Sequence, residues 1–435
     1  MQVNNTHLSS AISKATKHII PMVILMFLLA YLDRSNIGFA KQEFQVDTGL
    51  SDAAYAFGAG IFFIGYALFE VPSNILLYRI GARVWLARIM ITWGLVSAAM
   101  MFAHTETTFI IIRFLLGVTE AGFFPGVILY LTFWFPLDIR ARVTGYFLFG
   151  APLAFIVGGP LSGGLLSLEG TFLAFGLHGW QLMFLVEGLL ASVVGVWALF
   201  YLNDRPKDAK WLTKEEQNAL TDVLQKEDHA KVAHGPKGVL AALFDIKVLY
   251  LCVIWFTVQI LGYGIYFFLP TQIGTLLGQK VGLLVGFISA IPPICAALAV
   301  YFIPRLSEKI GDRRNIAVIT YLLGAVGIAI SGFADNIPLI AIIALCVAAA
   351  GHLAVQPLYW TFPSGYLGGT AAASGIALIN SIGNLGGFVA PNIRVWAEST
   401  FQSAKAGLYL LAIITVIGAI MIFFLNKMGI DKNNH

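Results

Sequence analysis

Charged side chains are too few here to cover a soluble surface: Asp, Glu, Lys and Arg make up 11% of 435 residues, where a soluble domain carries about 25%. With 58% hydrophobic residues and a mean hydropathy of +0.81, the chain reads as an integral membrane protein. Cysteine is nearly absent. Cys252, Cys295 and Cys346 each sit in an apolar run, without C-x-x-C or Cys/His spacing, which excludes a disulfide framework and leaves them as small packing residues rather than metal ligands. No nucleophile–base pairing, metal cluster or phosphate-binding loop is present, so an enzyme is disfavoured and no cofactor or metal is expected. Nor does a small-residue cleavage site follow the polar start MQVNNTHLSSAISKATKH, so the first helix is expected to be retained.

What the chain has in quantity is long apolar runs. About 20 apolar residues cross a bilayer, and twelve such runs occur, at about 18–39, 53–77, 87–103, 108–134, 143–167, 179–202, 247–273, 282–303, 315–334, 338–361, 370–393 and 406–425. Basic residues crowd one set of connections: Lys14 and Lys17; Arg79, Arg83 and Arg88; Arg140 and Arg142; a central group from Arg205 to Lys247; Arg305, Lys309, Arg313 and Arg314; Lys427 and Lys432. The other set holds Lys41, Lys280, Arg394 and Lys405. The positive-inside rule therefore predicts cytoplasmic termini and a cytoplasmic central segment. That bias is topological and implies no nucleic-acid partner.

The predicted organisation is a cytoplasmic N-terminus (1–17), a six-helix bundle (18–202), a cytoplasmic linker (203–246), a second six-helix bundle (247–425) and a cytoplasmic C-terminus (426–435). In the linker, Thr213 and Glu216 have capping-box spacing, which predicts a surface helix; a disordered tether is the alternative. NILLYRIGARVW and PRLSEKIGDRRN echo each other. Gly81 and Gly311 each follow a basic residue by two positions and precede another by two. Two six-span halves around a midplane site is a recurrent transporter plan. The 44 glycines, including Gly383 and Gly387 of a GxxxG, suit close helix packing.

Against this apolar background, ionised side chains inside spans stand out, since each costs several kcal/mol at a helix centre. Asp33 and Arg34 lie about 8–9 Å below the outer end of span 1, Arg113 at a similar depth in span 4, and Glu120 about 10 Å deeper. Asp33 and Arg34 point about 100° apart and do not satisfy each other. The spacing predicts that Asp33 meets Arg113, while Arg34 addresses either a substrate or Glu120; a static ion pair between spans 1 and 4 is the alternative. Glu70 is expected to tether the basic loop at Arg79–Arg83, and Glu187 to hold the first half together. The second half instead carries neutral polar groups: Gln259, Gln356, Thr361, Asn380, Ser381 and Asn384, with Trp360 and Tyr263 nearby. A cationic half suits a carboxylate and an amide-rich half suits hydroxyls, although amides also join helices, the reading preferred for Asn384. His352 is expected to be packed rather than to relay protons.

The 6+6 plan and the two loops resemble the major facilitator superfamily and its GxxxDRxGRR loop. Tyr78 stands where the family has Asp, and Glu308 and Lys309 replace Asp-Arg. YLDRSNIGFA, GYALFEVPSN, RFLLGVTEAGFFPG, the WFP at 134–136 and NSIGNLGGFVAP are similar to the anion:cation symporter family, above all its bacterial sugar-acid permeases of the rhamnonate, galactonate and tartrate kind. The resemblance implies an all-α membrane protein of twelve helices in two pseudo-symmetric halves. It implies proton-coupled uptake of a small organic anion across the bacterial inner membrane; a monomeric carrier is the expected state, which the residues themselves do not fix. By the resemblance Asp33, Arg34, Arg113 and Glu120 match the family's charged positions, and Tyr66, Trp360 and Asn380 line the site; Tyr263 and Gln356 join that set from their placement. Arginine keeps its charge while a desolvated carboxylate takes up a proton, so Asp33 and Glu120 are the expected proton carriers. Ala151 and Pro152 stand where galactonate-type relatives have a substrate-binding Gln. VGGPLSGG (157–164) resembles the GPxxGG of drug/proton antiporters, which keeps export as one alternative; a non-transporting membrane sensor is another.

Overall fold

The computed structural model describes residues 2–136, 139, 143, 146–171, 176–233, 245–334, 336–366 and 378–430. Among these, eleven helices are long and apolar enough to cross a membrane. Apart from the first, which is far longer, their positions follow the predicted runs, and the chain is a multi-pass membrane protein. The expected span at 370–393 lies partly outside the described residues, as do Arg140, Arg142, Lys237 and Lys432; from 378 onward its helix is seen, continuing as Gly386–Thr400.

The first half comprises α1 (Gln2–Thr48), α2 (Asp52–Ile80), α3 (Ala82–Ala98), α4 (Glu106–Glu120), α5 (Phe123–Thr132), α6 (Gly150–Leu166) and α7 (Gly179–Tyr201). The linker holds α8 (Lys214–Ala233). The second half comprises α9 (Ile246–Tyr266), α10 (Leu269–Leu277), α11 (Leu283–Ser289), α12 (Ile291–Ile310), α13 (Arg313–Phe333), α14 (Pro338–Tyr366), α15 (Gly386–Thr400) and α16 (Ala404–Phe423). At 47 residues, α1 is about 70 Å long, more than twice the roughly 30 Å hydrocarbon core, so it outruns the predicted 18–39 at both ends.

Span 4 is broken. α4 ends at Glu120, Ala121 takes an extended ψ of 133°, and Gly122 adopts φ 86° before α5 begins. Only glycine takes that φ without steric cost. Glu120 is thus the last residue of α4, directly before the point where the helix unwinds. The echoed loops also match in conformation: Gly81 (φ 107°) and Gly311 (φ 79°) both end a helix with positive φ.

The halves meet along two seams. On one, α6 packs against α11 so closely that a Cβ on Gly163 would lie 2.5 Å from the Gly282 carbonyl oxygen. Gly159, Gly163 and Gly164 of VGGPLSGG therefore serve helix approach between the halves, while Gly158 faces Leu32 of α1. On the other, α2 packs on α15, where Asn392 Nδ2 donates to the Ala56 carbonyl (3.3 Å). At the end remote from the linker, the Tyr55 hydroxyl donates to the Phe267 carbonyl across the halves (3.3 Å). Lys41 and Arg394 both approach the Phe268 ring, at 5.6 and 4.1 Å.

The linker helix starts as its sequence predicts. Thr213 N–H donates to Glu216 Oε2 (2.9 Å) and Glu216 N–H to Thr213 Oγ1 (3.3 Å), a reciprocal capping box. The same carboxylate accepts from Ser10 Oγ (2.7 Å) and Lys14 Nζ (2.8 Å), so α8 docks on the start of α1. Burial disfavours the Glu216 charge, but the Lys14, Ser10 and Thr213 donors outweigh it and hold the carboxyl at about 2, below its ordinary 4.5. A depressed folded value means the contact is at full strength above about pH 4.5 and fades as pH falls toward 2. Glu216→Gln at pH 7 is accordingly expected to lower amide protection factors in α8 and the first turns of α1, while wild-type protection factors, corrected for the intrinsic pH dependence of exchange, stay constant between pH 5 and 8.

Candidate functional site

The intramembrane charges of the first half converge, though not in the predicted pairs. Arg34 donates from Nε and Nη2 to Glu120 Oε1, at 2.8 and 2.6 Å. The Glu120 side chain is fully buried and that of Arg34 is 11% exposed. Three aromatic rings surround the guanidinium: Tyr31 at 5.2 Å, Tyr66 at 5.1 Å and Phe62 at 5.5 Å. Tyr263 reaches the same arginine from the second half and packs edge-on against Phe63 at 4.5 Å. Arg34, Glu120, Tyr66 and Tyr263 thus form one cluster where the halves face each other. Glu120 Oε2 is buried without a hydrogen-bond partner among the described residues. An unpaired buried oxygen is costly, and it marks where this site has capacity left for a proton or a donor group.

The expected Asp33–Arg113 pair does not form. Asp33 accepts from Trp93 Nε1 (2.6 Å), Ser97 Oγ (2.9 Å) and Asn36 Nδ2 (3.3 Å). The 100° step that separates it from Arg34 turns it toward α3, inside the first bundle, rather than toward α4. Arg113 instead donates to the Gly58 and Ala59 carbonyls of α2, at 3.3 and 3.0 Å. Trp93, Ser97 and Asn36 were invisible as partners in the sequence; the only signal was that a buried indole N–H needs an acceptor.

Glu70 does not tether the basic loop. It lies nine residues before Arg79, about 13 Å along the axis, and accepts from Ser381 Oγ of the second half (3.0 Å). The loop is held by Asp204, which accepts from Arg83 N–H (2.9 Å). Glu187 joins α7 to α6 by accepting from Ser162 Oγ (2.7 Å).

In the second half, Gln356 shares a hydrogen bond with His352 (3.1 Å), and His352 is buried, as expected of a packed residue. Trp360 packs on Trp255 at 4.9 Å. Gln259 donates to Asn384 (3.0 Å), which makes Asn384 a helix joiner. Asn380 is half-buried next to Ser381, and Gln356 directs its amide to His352 rather than to Arg34. No group of three or more His, Cys, Asp or Glu suited to a metal occurs among the described residues.

A two-half helical bundle whose first half buries an ion pair among aromatic side chains, with Tyr263 reaching it from the second half, is the layout of a membrane carrier. The chain belongs to the Major Facilitator Superfamily, which residues 23–391 match; it is a secondary transporter and not an enzyme. It is 47% identical over 418 residues to the inner membrane transport protein RhmT of Escherichia coli (strain K12), covering 96% of each chain. It is 45% identical over 414 residues to a putative tartrate transporter of Agrobacterium vitis, covering 95% of this chain and 94% of that one. Its fold is similar to that of the xylose transporter XylE from E. coli in an inward-open conformation: TM-score 0.74, 15% identity, 94% of this chain and 96% of that one.

Proposed function

We propose that this chain is a proton-coupled symporter that takes up a small organic anion, a sugar acid such as rhamnonate or a related aldonate, aldarate or tartrate, across the bacterial inner membrane. The observation that carries this reading is the buried Arg34–Glu120 pair with its unpartnered Glu120 Oε2. Arg34 is a fixed cation. A proton on Glu120 would release the guanidinium, and the carboxylate of the substrate would take the place of the ionised Glu120. Substrate and proton are then carried together, because either alone leaves a buried charge unmatched. Asp33 serves as a second proton site, held apart from both arginines. Tyr66 and Tyr263 close on the bound acid from the two halves, and Gln356, Trp360 and Asn380 supply its hydroxyl partners from the second half. Arg113 contributes positive potential from behind.

The linker end, where α8 meets α1, is the cytoplasmic side in this reading, as the basic loops indicate. Rocking of the halves about the cluster exposes it to each side in turn. Reconstituted vesicles decide the matter. With an inward proton gradient, sugar acids are expected to accumulate and to carry protons with them, whereas neutral sugars and cationic drugs do not. Gradient-independent or outward-only movement of the acids would reject symport.

A further inference from the structure

Glu70 is a buried carboxyl on the path between the Arg34 cluster and the linker end, and the mechanism above does not use it. It lies one helical turn beyond Tyr66 on α2 and is buried. Its side-chain hydrogen bond crosses to the other half, where Ser381 Oγ donates at 3.0 Å. Among the described residues, the titratable groups that face it are Arg34 of α1 and Tyr66 of its own helix. Arg34 is already engaged by Glu120. A carboxylate is an expensive way to join two helices inside a membrane when a neutral amide makes the same bond.

We propose that Glu70 is a third proton-accepting carboxyl of the transport path, and that its bond to Ser381 is a latch whose strength follows its charge. The proposal rests on reading the chain as a proton-coupled carrier. An ionised carboxylate accepts a hydrogen bond roughly twice as strong as a neutral group does. Ionised Glu70 therefore holds α2 to the helix bearing Ser381, on the linker side of the cluster. A proton arriving from Glu120 weakens that bond, the halves part at the linker end, and the proton leaves to the water that enters. Loss of the proton restores the carboxylate and the latch. Protonation thus opens the linker side, and proton release, which follows from that opening, closes it again.

The test uses spin labels on Arg79→Cys and Arg305→Cys, exposed positions near the linker ends of α2 and α12, with Cys252, Cys295 and Cys346 changed to Ser. Inter-label distances are measured by pulsed electron resonance at pH 8 and pH 5 without solute. The labelled parent is expected to widen on acidification, and Glu70→Gln to be wide at both pH values. Ser381→Ala, which keeps the carboxyl and removes its partner, is expected to be wide at both as well and carries the test if Glu70→Gln does not fold. A parent that does not widen, or either variant following the parent's pH response, overturns the latch. In vesicles, Glu70→Gln is expected to lose at least tenfold in gradient-driven accumulation while counterflow stays within about threefold. Equal loss of both overturns the proton role. If the parent accumulates no acid, the symport reading fails, and the distance measurement still judges the latch.

Discussion

Arg34→Lys is expected to lower the initial rate of solute uptake by between about a hundredfold and several thousandfold, although the charge is conserved. Removing one partner of a buried ion pair costs about 3–5 kcal/mol, and each 1.4 kcal/mol is about tenfold. Lysine does not replace what arginine does here. The guanidinium places two N–H groups on Glu120 Oε1 and keeps its planar face among Tyr31, Phe62 and Tyr66. An ammonium lacks both the fork and the plane. A substrate carboxylate gripped through two parallel N–H groups loses that grip as well. Uptake by the Lys variant within threefold of wild type, in vesicles holding equal amounts of folded protein, would remove Arg34 from the substrate site.

Asp33→Asn is expected to abolish accumulation against a gradient while leaving counterflow of labelled substrate within a few-fold of wild type. Asp33 is held by three neutral donors, Trp93, Ser97 and Asn36, and by neither arginine. A proton is added there without breaking an ion pair, and an amide of the same shape keeps an acceptor oxygen for one side of the site, Trp93 or the Ser97 and Asn36 pair. Exchange requires only that the halves rock around bound solute; concentration requires the proton. The measurement is steady-state accumulation beside counterflow in one vesicle preparation. Accumulation that persists in the Asn variant would leave Glu120 as the carrier. Counterflow that disappears with it would make Asp33 a structural anchor for α3.

Parts of the site were legible in the sequence. Glu120 was one of two partners expected for Arg34, and that pair forms, whereas the equal depth of Asp33 and Arg113 did not make them a pair. The spacing of Thr213 and Glu216 forecast a helix start that is made as expected. Glu120 at a helix break was not legible, because TEAGFF reads as continuous apolar helix until Gly122 adopts φ 86°. Nor was the partner of Glu70, since Ser381 is 311 residues away.

The sequence by itself determined the class, the spans, the two-fold echo and which side chains are charged inside the membrane. These follow from local composition, because a bilayer rejects charge and demands a fixed length of apolar helix wherever the segment packs. Tertiary structure decided which charge meets which. Helical periodicity sets the angle between Asp33 and Arg34, but the rotation of α1 against its neighbours is set by the packing of all the helices together. That rotation turns Asp33 to Trp93 and Arg34 to Glu120.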